Sequence, residues 1–304
     1  MLGLALIGGC TRTNPAYRIT AEQPDAGEEN PPAPGSSDAA SGPDLSPPPD
    51  EAAEDLATPE DTAPDLALLD LAQPADLAPP DRAPDLAADS GVSNVGLAAY
   101  WRLDERSGTA VADATGNGNT GATKGGPLWV TGGFPAIGFA NTGALDLDGE
   151  DDYVEISNKT IPGSAAPKTL SAWFKARNAA AIPIRNLVAL INETSDVGVQ
   201  MGLDHGKVSA WFFGDTAPMV AAHDAVDGNW HHAAYTFDGK THRIYYDGKF
   251  EAERDVPPKS GTIARTRLGT WGAPEEMFDG LIDDVRIYAR ALSDGEIATL
   301  GSGQ

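Results

Sequence analysis

Three acidic residues between positions 145 and 156 are the first candidates for chemistry. In the segment LDLDGEDDYVEI, Glu150, Asp152 and Glu155 have a spacing that fits a Glu-x-Asp-x-x-Glu pattern. Two carboxylates flanking a glycosidic bond can act as nucleophile and general acid, so the pattern suggests glycoside hydrolysis. The other interpretation is two short strands joined by a Gly-Glu-Asp turn. The odd spacing of Asp152 and Glu155 sends their side chains to opposite faces of a strand, and we therefore expect a turn without catalytic function.

Two tryptophans are candidates for binding a ligand. Trp211 is followed by Phe212 and Phe213, and alternation along a strand prevents all three rings from facing the core. Trp271 stands at the end of a predicted strand, beside an acidic loop that contains Glu275. A flat ring can stack on the C–H face of a sugar while carboxylates and amides bind its hydroxyls. We therefore predict a ligand platform at these tryptophans, with core packing as the alternative.

The negative charge is concentrated in one part of the chain. Of the net charge of −24, most falls in residues 21–93, which hold 18 acidic residues, one basic residue (Arg82) and no aromatic residue. Such a segment cannot bury enough apolar surface to offset the entropy of ordering, so we predict a disordered linker over residues 11–93. Its Asp-Leu-Ala triplets, separated by prolines, indicate an extended spacer or, alternatively, short motifs that dock a partner. A chain without a basic stripe is poorly suited to binding nucleic acid.

The first ten residues, MLGLALIGGC, resemble a bacterial lipobox. Small residues precede Cys10, the position at which a lipid would be attached, so residues 1–10 are predicted to be part of a lipoprotein signal peptide. The alternative is an ordinary hydrophobic N-terminus with a chance cysteine. Thr11, rather than aspartate, follows the cysteine, and by resemblance this implies the outer membrane. We expect a lipid-anchored protein of the bacterial cell envelope, or a secreted one, with no intramolecular disulfide because only one cysteine occurs.

Residues 94–304 are predicted to form one all-β domain. Short segments alternate apolar and polar residues and are separated by Gly- and Asp-containing turns, whereas long helical patterns do not occur. Each strand then has one buried and one solvated face, which is typical of two antiparallel sheets packed as a β-sandwich, here a jelly roll. Ser293 and Glu296 fit a capping box and predict a short final helix. The predicted strands are 98–103, 144–148, 153–156, 170–175, 187–191, 199–203, 208–213, 230–237, 243–246, 267–271 and 281–287.

The ordered motifs of this domain resemble laminin G-like jelly rolls of the concanavalin A-like lectin/glucanase superfamily. The residues that carry the resemblance include Tyr100-Trp101-Arg102-Leu103-Asp104-Glu105, Leu147-Asp148-Gly149, Trp230-His231-His232 and Phe278-Asp279-Gly280-Leu281-Ile282-Asp283-Asp284-Val285-Arg286-Ile287-Tyr288. The resemblance implies a non-catalytic module that binds a glycan or a glycosylated surface. It leaves two alternatives open: adhesion to a protein partner, and glycoside hydrolysis as in other members of the superfamily.

The resemblance also implies a structural calcium ion where the first and last strands meet. The matching carboxylate of the last strand is Asp283, and Asp104, Asp113 and Asn117 are candidate partners. Carboxylate and amide oxygens on bendable loops are the ligands that calcium prefers. The alternative is that these side chains only cap turns.

A second, fainter resemblance is to pentraxins. In that family a ligand-bridging calcium site is built partly on a loop that corresponds here to residues 272–279. Glu275 and Glu276 stand in this loop, and Asp196 would approach from an earlier one. The resemblance therefore implies that these carboxylates contribute to ligand binding.

Overall fold

The computed structural model describes residues 94–132, 141–177, 184–192, 194–213, 217–272 and 274–303, and the single residues 91, 135, 137, 138 and 215. The predicted lipidation site Cys10 lies outside the described residues, as does the predicted linker 11–93 apart from Gly91. Among the helices of the described part, none is long and apolar enough to cross a bilayer.

The described residues form strands almost throughout. The elements are β1 Leu97–Trp101, β2 Ala110–Val111, β3 Gly121–Lys124, β4 Leu128–Val130, β5 Ala144–Asp148, β6 Tyr153–Ile156, β7 Lys168–Ala176, β8 Ile184–Asn192, β9 Val197–Asp204, β10 Lys207–Phe212, β11 Met219–Asp224, β12 His231–Phe237, β13 His242–Tyr246, β14 Lys249–Arg254, β15 Arg265–Leu268, a 3-10 helix Pro274–Glu276, β16 Asp279–Tyr288 and α1 Asp294–Ser302.

These strands form two eight-stranded sheets, and the named strands pair antiparallel. The first sheet has the order β14-β13-β12-β7-β16-β5-β4, and β1 also pairs with β16. The second sheet has the order β11-β10-β9-β8-β15-β6-β3-β2. The predicted all-β, two-sheet antiparallel sandwich is confirmed.

Alternation along the strands builds the core between the two sheets. Leu170, Ala172 and Phe174 of β7 enter this core from the first sheet. Val154 and Ile156 of β6 enter it from the second. Because successive side chains of a strand point to opposite faces, the intervening residues form the two outer faces of the sandwich.

The short helix predicted at the end of the chain is confirmed, and it covers the outer face of the first sheet. Ser293 caps α1, since its side chain accepts a hydrogen bond from the Glu296 backbone while the Glu296 carboxylate accepts one from the Ser293 backbone. Ile297 and Leu300 then pack on a small apolar cluster formed by β12, β13 and β16. The helix ends at Gly303, whose φ of 69° is the left-handed conformation that glycine adopts readily.

Both strands predicted in the segment 145–156 form, but the expected hairpin pair was wrong. β5 and β6 belong to different sheets, and residues 149–152 connect them. At the other predicted strand, 267–271, the structure differs: β15 ends at Leu268. Gly269 follows with a φ of +89°, which turns the chain out of the sheet. Trp271 therefore lies in a loop.

Candidate functional site

The outer face of the second sheet carries the candidate site, and β9 supplies its centre. Val199, Met201 and Leu203 of this strand are buried between the sheets. Gln200 and Gly202 consequently point to the outer face.

β10 repeats this pattern next to β9. Ala210 and Phe212 lie in the core, so Ser209 and Trp211 point outward. Trp211 is half-buried and stands directly opposite Gln200 in the β9–β10 ladder. The prediction that Trp211, Phe212 and Phe213 cannot all point into the core is confirmed.

A pocket opens beside the indole of Trp211. Gly202 lies close against β8, since a Cβ atom there would lie 2.0 Å from the backbone oxygen of Arg185. The pocket is lined by Ile184, Asn186, Gln200, Gly202, Asp204, Ser209, Trp211 and Pro218. Amide, hydroxyl and carboxylate groups thus meet one half-exposed aromatic ring.

Trp271 lies on the same face as Trp211. Its ring packs against Ala189 and Ile191 of β8 and is 9% exposed. Ala189, on which Trp271 packs, pairs with Gln200, and Gln200 pairs with Trp211. Two strand spacings of about 4.8 Å each therefore separate Ala189 from Trp211. The structure therefore brings both predicted tryptophans to one surface, Trp211 half-exposed and Trp271 mostly covered.

An ion pair holds the loop that carries Trp271. Arg267 of β15 donates from Nε to Glu155 Oε2 over 2.6 Å and from Nη1 to the backbone oxygen of Trp271 over 2.9 Å. Its guanidinium also lies over the ring of Tyr153, 5.4 Å from the ring centre. Glu155 is thus the anchor of an arginine that positions Trp271.

The other two acidic residues of the proposed triad have different surroundings. Glu150 is exposed in the turn, and its backbone N–H donates to Asp148 Oδ1 over 2.8 Å. Asp152 is buried and accepts a hydrogen bond from the Asp148 backbone over 3.1 Å. Glu150, Asp152 and Glu155 therefore form no shared cluster on one strand face.

The acidic residues predicted beside the tryptophans are placed unequally. Asp196 lies in the turn between β8 and β9, at the opposite end of β9 from Asp204. Glu275 is exposed in the 3-10 helix, whereas the next residue, Glu276, accepts a hydrogen bond from Asn186 Nδ2 over 3.2 Å. Burial raises the pKa of Glu276, and its hydrogen bonds oppose that rise. Glu276, rather than Glu275, therefore contacts a residue of the pocket lining, Asn186.

A second cluster of carboxyl groups lies where β1 leads towards β16. Asp283 is fully buried, and its carboxylate accepts hydrogen bonds from Asn141 Nδ2 over 2.7 Å and from the Asp284 backbone over 2.8 Å. Burial, reinforced by the charges of Asp284 and Asp104, raises the pKa of Asp283 to about 9. Asp104 accepts hydrogen bonds from the backbone and hydroxyl of Thr142. Two of the four predicted calcium ligands, Asp104 and Asp283, thus lie close enough for the charge of one to affect the other.

The other two predicted calcium ligands hold a loop onto β1. Asp113 accepts hydrogen bonds from the Tyr100 backbone over 3.2 Å and from Asn119, and Asn117 Nδ2 donates to the Ala98 oxygen over 3.0 Å. Within the described residues, none of their hydrogen bonds reaches the other two predicted ligands. In this structure the two side chains cap the turn after β2 and bond to the backbone of β1.

Sequence comparison agrees with this architecture. A family model described as the concanavalin A-like lectin/glucanases superfamily matches residues 148–298. No curated protein matches the chain in sequence. The matched residues include β6 to β16, so the similarity to this superfamily covers strands of both antiparallel sheets.

Solved structures of the same fold include domains that bind sugars or receptors. Domain 4 of AbnA, a GH43 extracellular arabinanase from Geobacillus stearothermophilus in complex with arabinotriose, superposes with a TM-score of 0.52 at 18% identity, over 68% of this chain and 98% of that one. The binding domain of Paraclostridial Mosquitocidal Protein 1 gives a TM-score of 0.55 at 16% identity, over 68% and 52%. The receptor binding domain of botulinum neurotoxin C/D mosaic serotype gives 0.53 at 12% identity, over 69% and 51%. The chain thus spans about half the length of the two toxin domains.

Proposed function

We propose that residues 94–304 form a non-catalytic module that binds carbohydrate through the outer face of the second sheet. The observation that carries this proposal is the half-exposed indole of Trp211 beside the amides of Asn186 and Gln200 and the hydroxyl of Ser209. The apolar C–H face of a sugar ring can stack on the indole while its hydroxyls bond to the polar groups. The arabinotriose complex of a domain with this fold is compatible with such a ligand.

The proposed site is rigid, which favours binding because little freedom is lost when the ligand docks. Asn186, Gln200 and Trp211 stand on three neighbouring strands that are paired on both sides. The hydrogen bond from Asn186 to Glu276 further fixes the orientation of that amide. A sugar would therefore meet groups already held in place.

Truncation of the platform tests the proposal. In the full chain, Trp211→Ala should weaken binding to any glycan that the wild type retains on an array by about tenfold or more, the equivalent of about 1.4 kcal/mol. Phe250→Ala is the matched control, because Phe250 is an aromatic residue 49% exposed on β14 of the first sheet. Unchanged glycan binding by Trp211→Ala, measured by titration calorimetry, would remove the proposal.

A protein receptor is the second candidate ligand. Ile184 and Pro218 extend the apolar surface around Trp211, and Val220 of the edge strand β11 is 36% exposed. Two structures of similar fold are binding domains of toxins, one of them titled as a receptor binding domain. The test is binding to cells. A protein receptor is favoured if binding requires Trp211, survives periodate oxidation of surface glycans and disappears after protease treatment.

The absence of catalysis is part of the proposal, and the surroundings of Glu155 support it. A carboxylate committed to Arg267 over 2.6 Å is poorly placed to act as a nucleophile. We expect Glu155→Gln to lower the melting temperature by loosening the Trp271 loop, without removing any hydrolysis. Release of sugar from β-glucan by the wild type but not by this variant would establish an enzyme instead.

We propose that Asp104 and Asp283 hold a structural calcium ion. The support is that Asp283 is a fully buried carboxyl group whose pKa burial and the charges of Asp284 and Asp104 raise, and a divalent cation would stabilise its charged form. The ion would tie residues that follow β1 to the middle of β16. A second acidic group, Asp148, Asp151 and Asp152, brings carboxylate oxygens within 4.8 Å of one another on the exposed turn, and we assign it no ligand.

We further propose that Cys10 is lipidated and that the protein belongs to the bacterial cell envelope. The support is the sequence MLGLALIGGC followed by a long acidic, proline-rich segment. Cys10→Ala should move the protein from the membrane fraction to the soluble fraction of the expressing bacterium. Retention of this variant on membranes would contradict the anchor.

A further inference from the structure

The pocket beside Trp211 contains polar groups that the protein leaves for a ligand. Gln200 and Ser209 are only 8% and 5% exposed, yet within the described residues neither side chain forms a hydrogen bond. Both line the pocket and can reach solvent there. Polar side chains that face one opening and have no partner within the described protein can form hydrogen bonds with a molecule that covers that opening.

The third polar group is oriented as an acceptor. Asn186 is 1% exposed and lines the same pocket. Its Nδ2 donates to Glu276 Oε2 over 3.2 Å, which leaves the carbonyl oxygen Oδ1 for a ligand. Together with the Asp204 carboxylate this gives the pocket two acceptors that require a donor from the ligand.

The charge around the pocket is negative. The only charged residue in the lining is Asp204, whose Oδ1 is 2.6 Å from Nδ1 of the exposed His205. Glu276 lies directly behind the pocket. The nearby Lys207 of β10 donates from Nζ to the Ala222 oxygen and is therefore directed to β11. An anionic ligand would therefore be repelled by carboxylates here, and the pocket lining contains no lysine or arginine to attract it.

These observations deepen the proposed carbohydrate-binding function and rest on it. We propose that an uncharged sugar residue stacks on Trp211 and lies over the opening of this small pocket. Hydroxyl groups of the sugar donate to Asp204 and to Asn186 Oδ1, and they exchange hydrogen bonds with Gln200 and Ser209. Uronic acids and sulfated or sialylated sugars are rejected, because Asp204 and Glu276 repel their charge.

Glycan pairs that differ only in charge test this specificity. The full chain is titrated against polygalacturonate and its methyl ester, dextran and dextran sulfate, and hydroxyethyl and carboxymethyl cellulose, together with neutral arabinan, galactan and xyloglucan. We expect binding to at least one neutral glycan. For each pair whose neutral member binds, the charged member should bind at least tenfold more weakly at low ionic strength, and salt should reduce the difference because it screens exposed charges.

Two variants separate failure of this inference from failure of the proposed function. Asp204→Asn should reduce the ratio between neutral and charged binding, whereas Asp151→Asn, the same change in the exposed turn before β6, should leave that ratio intact. Binding of a charged glycan that equals or exceeds that of its neutral counterpart and is lost in Trp211→Ala overturns the neutral-sugar inference and leaves carbohydrate binding standing. Failure to bind any of these glycans, or binding that Trp211→Ala does not weaken, overturns both.

Discussion

At the scale of single residues, two adjacent histidines show how the environment sets the charge of identical side chains. His231 and His232 point to opposite faces of β12. His232 is completely buried beside Ser171, and burial lowers its pKa to about 4. Burial also acts on His231, but hydrogen bonds to Asp247 and Asp227 outweigh it and raise the pKa above the ordinary value. The neutral form is stabilised at one position and the charged form at the next.

The two histidines should therefore give opposite dependences of stability on pH. Between about pH 6.5 and pH 4 the unfolded chain binds a proton at His232 that the folded chain does not, so acid costs about 3 kcal/mol of stability there. His231 has the raised pKa, so its contribution is present below pH 6.5 and is lost as the pH rises through the folded-state value.

Urea unfolding from pH 4 to pH 8 measures both effects. His232→Gln should flatten the loss of stability between pH 6.5 and pH 4, and His231→Gln should flatten the loss above pH 6.5. The change of slope is the readout, because each substitution also removes hydrogen bonds at every pH. An unaltered acid slope in His232→Gln would contradict the assignment.

At the scale of elements, alternation predicted the strands that border the core. Buried strands such as β9, where Val199, Met201 and Leu203 all enter the core, read clearly in the sequence. The strands that were missed are short or lie at or near a sheet edge: β2, β3, β4, β11 and β14. β14, with the sequence KFEAER, has no buried residue. Its hydrogen bonds to β13 depend on the neighbouring strand, which local periodicity does not reveal.

The candidate site was predictable in part for the same reason. Trp211 could be chosen from its own strand, because neighbouring aromatic residues cannot all face inward. Gln200 and Asn186 are outward positions of their strands, but their meeting with Trp211 requires the register between β8, β9 and β10. Register follows from pairing across the sheet, which the sequence of one strand leaves open. Glu276 rather than Glu275 bonds to Asn186 for a similar reason, since the 3-10 helix sets the direction of its side chain.

The capping box of α1 gives a prediction at this scale. Ser293→Ala should lower the free energy of unfolding by about 1 kcal/mol, because the helix start loses the side chain that satisfies a backbone N–H. Ser302→Ala is the control within the same helix, since its hydroxyl donates to the Thr299 oxygen and caps no N–H group. Equal losses for both variants in chemical denaturation would argue against the cap.

At the scale of the whole domain, the two outer faces have different roles. The outer face of the first sheet is covered by α1 through Ile297 and Leu300, and it also carries the buried group of Asp283 and Asp284. The outer face of the second sheet leaves Trp211 half-exposed beside a pocket. One sheet is therefore covered by the chain itself, and the other presents the surface that we assign to a ligand.

The proposed calcium ion should stabilise this whole domain, because β1 and β16 come from its two ends. Binding only to the folded chain adds RT ln(1 + [Ca²⁺]/Kd), about 2.7 kcal/mol at a hundredfold excess over Kd. For a domain of this size each kcal/mol raises Tm by roughly 2–4 °C.

The wild type should therefore melt at a higher temperature in calcium than in chelator, and Asp283→Asn should abolish that difference. Asp113→Asn should retain it, because Asp113 bonds to the Tyr100 backbone, away from the two proposed ligands. A wild-type Tm that is the same in calcium and in chelator would exclude the ion. A calcium response that is lost in Asp113→Asn but kept in Asp283→Asn would instead assign the ion to the loop after β2.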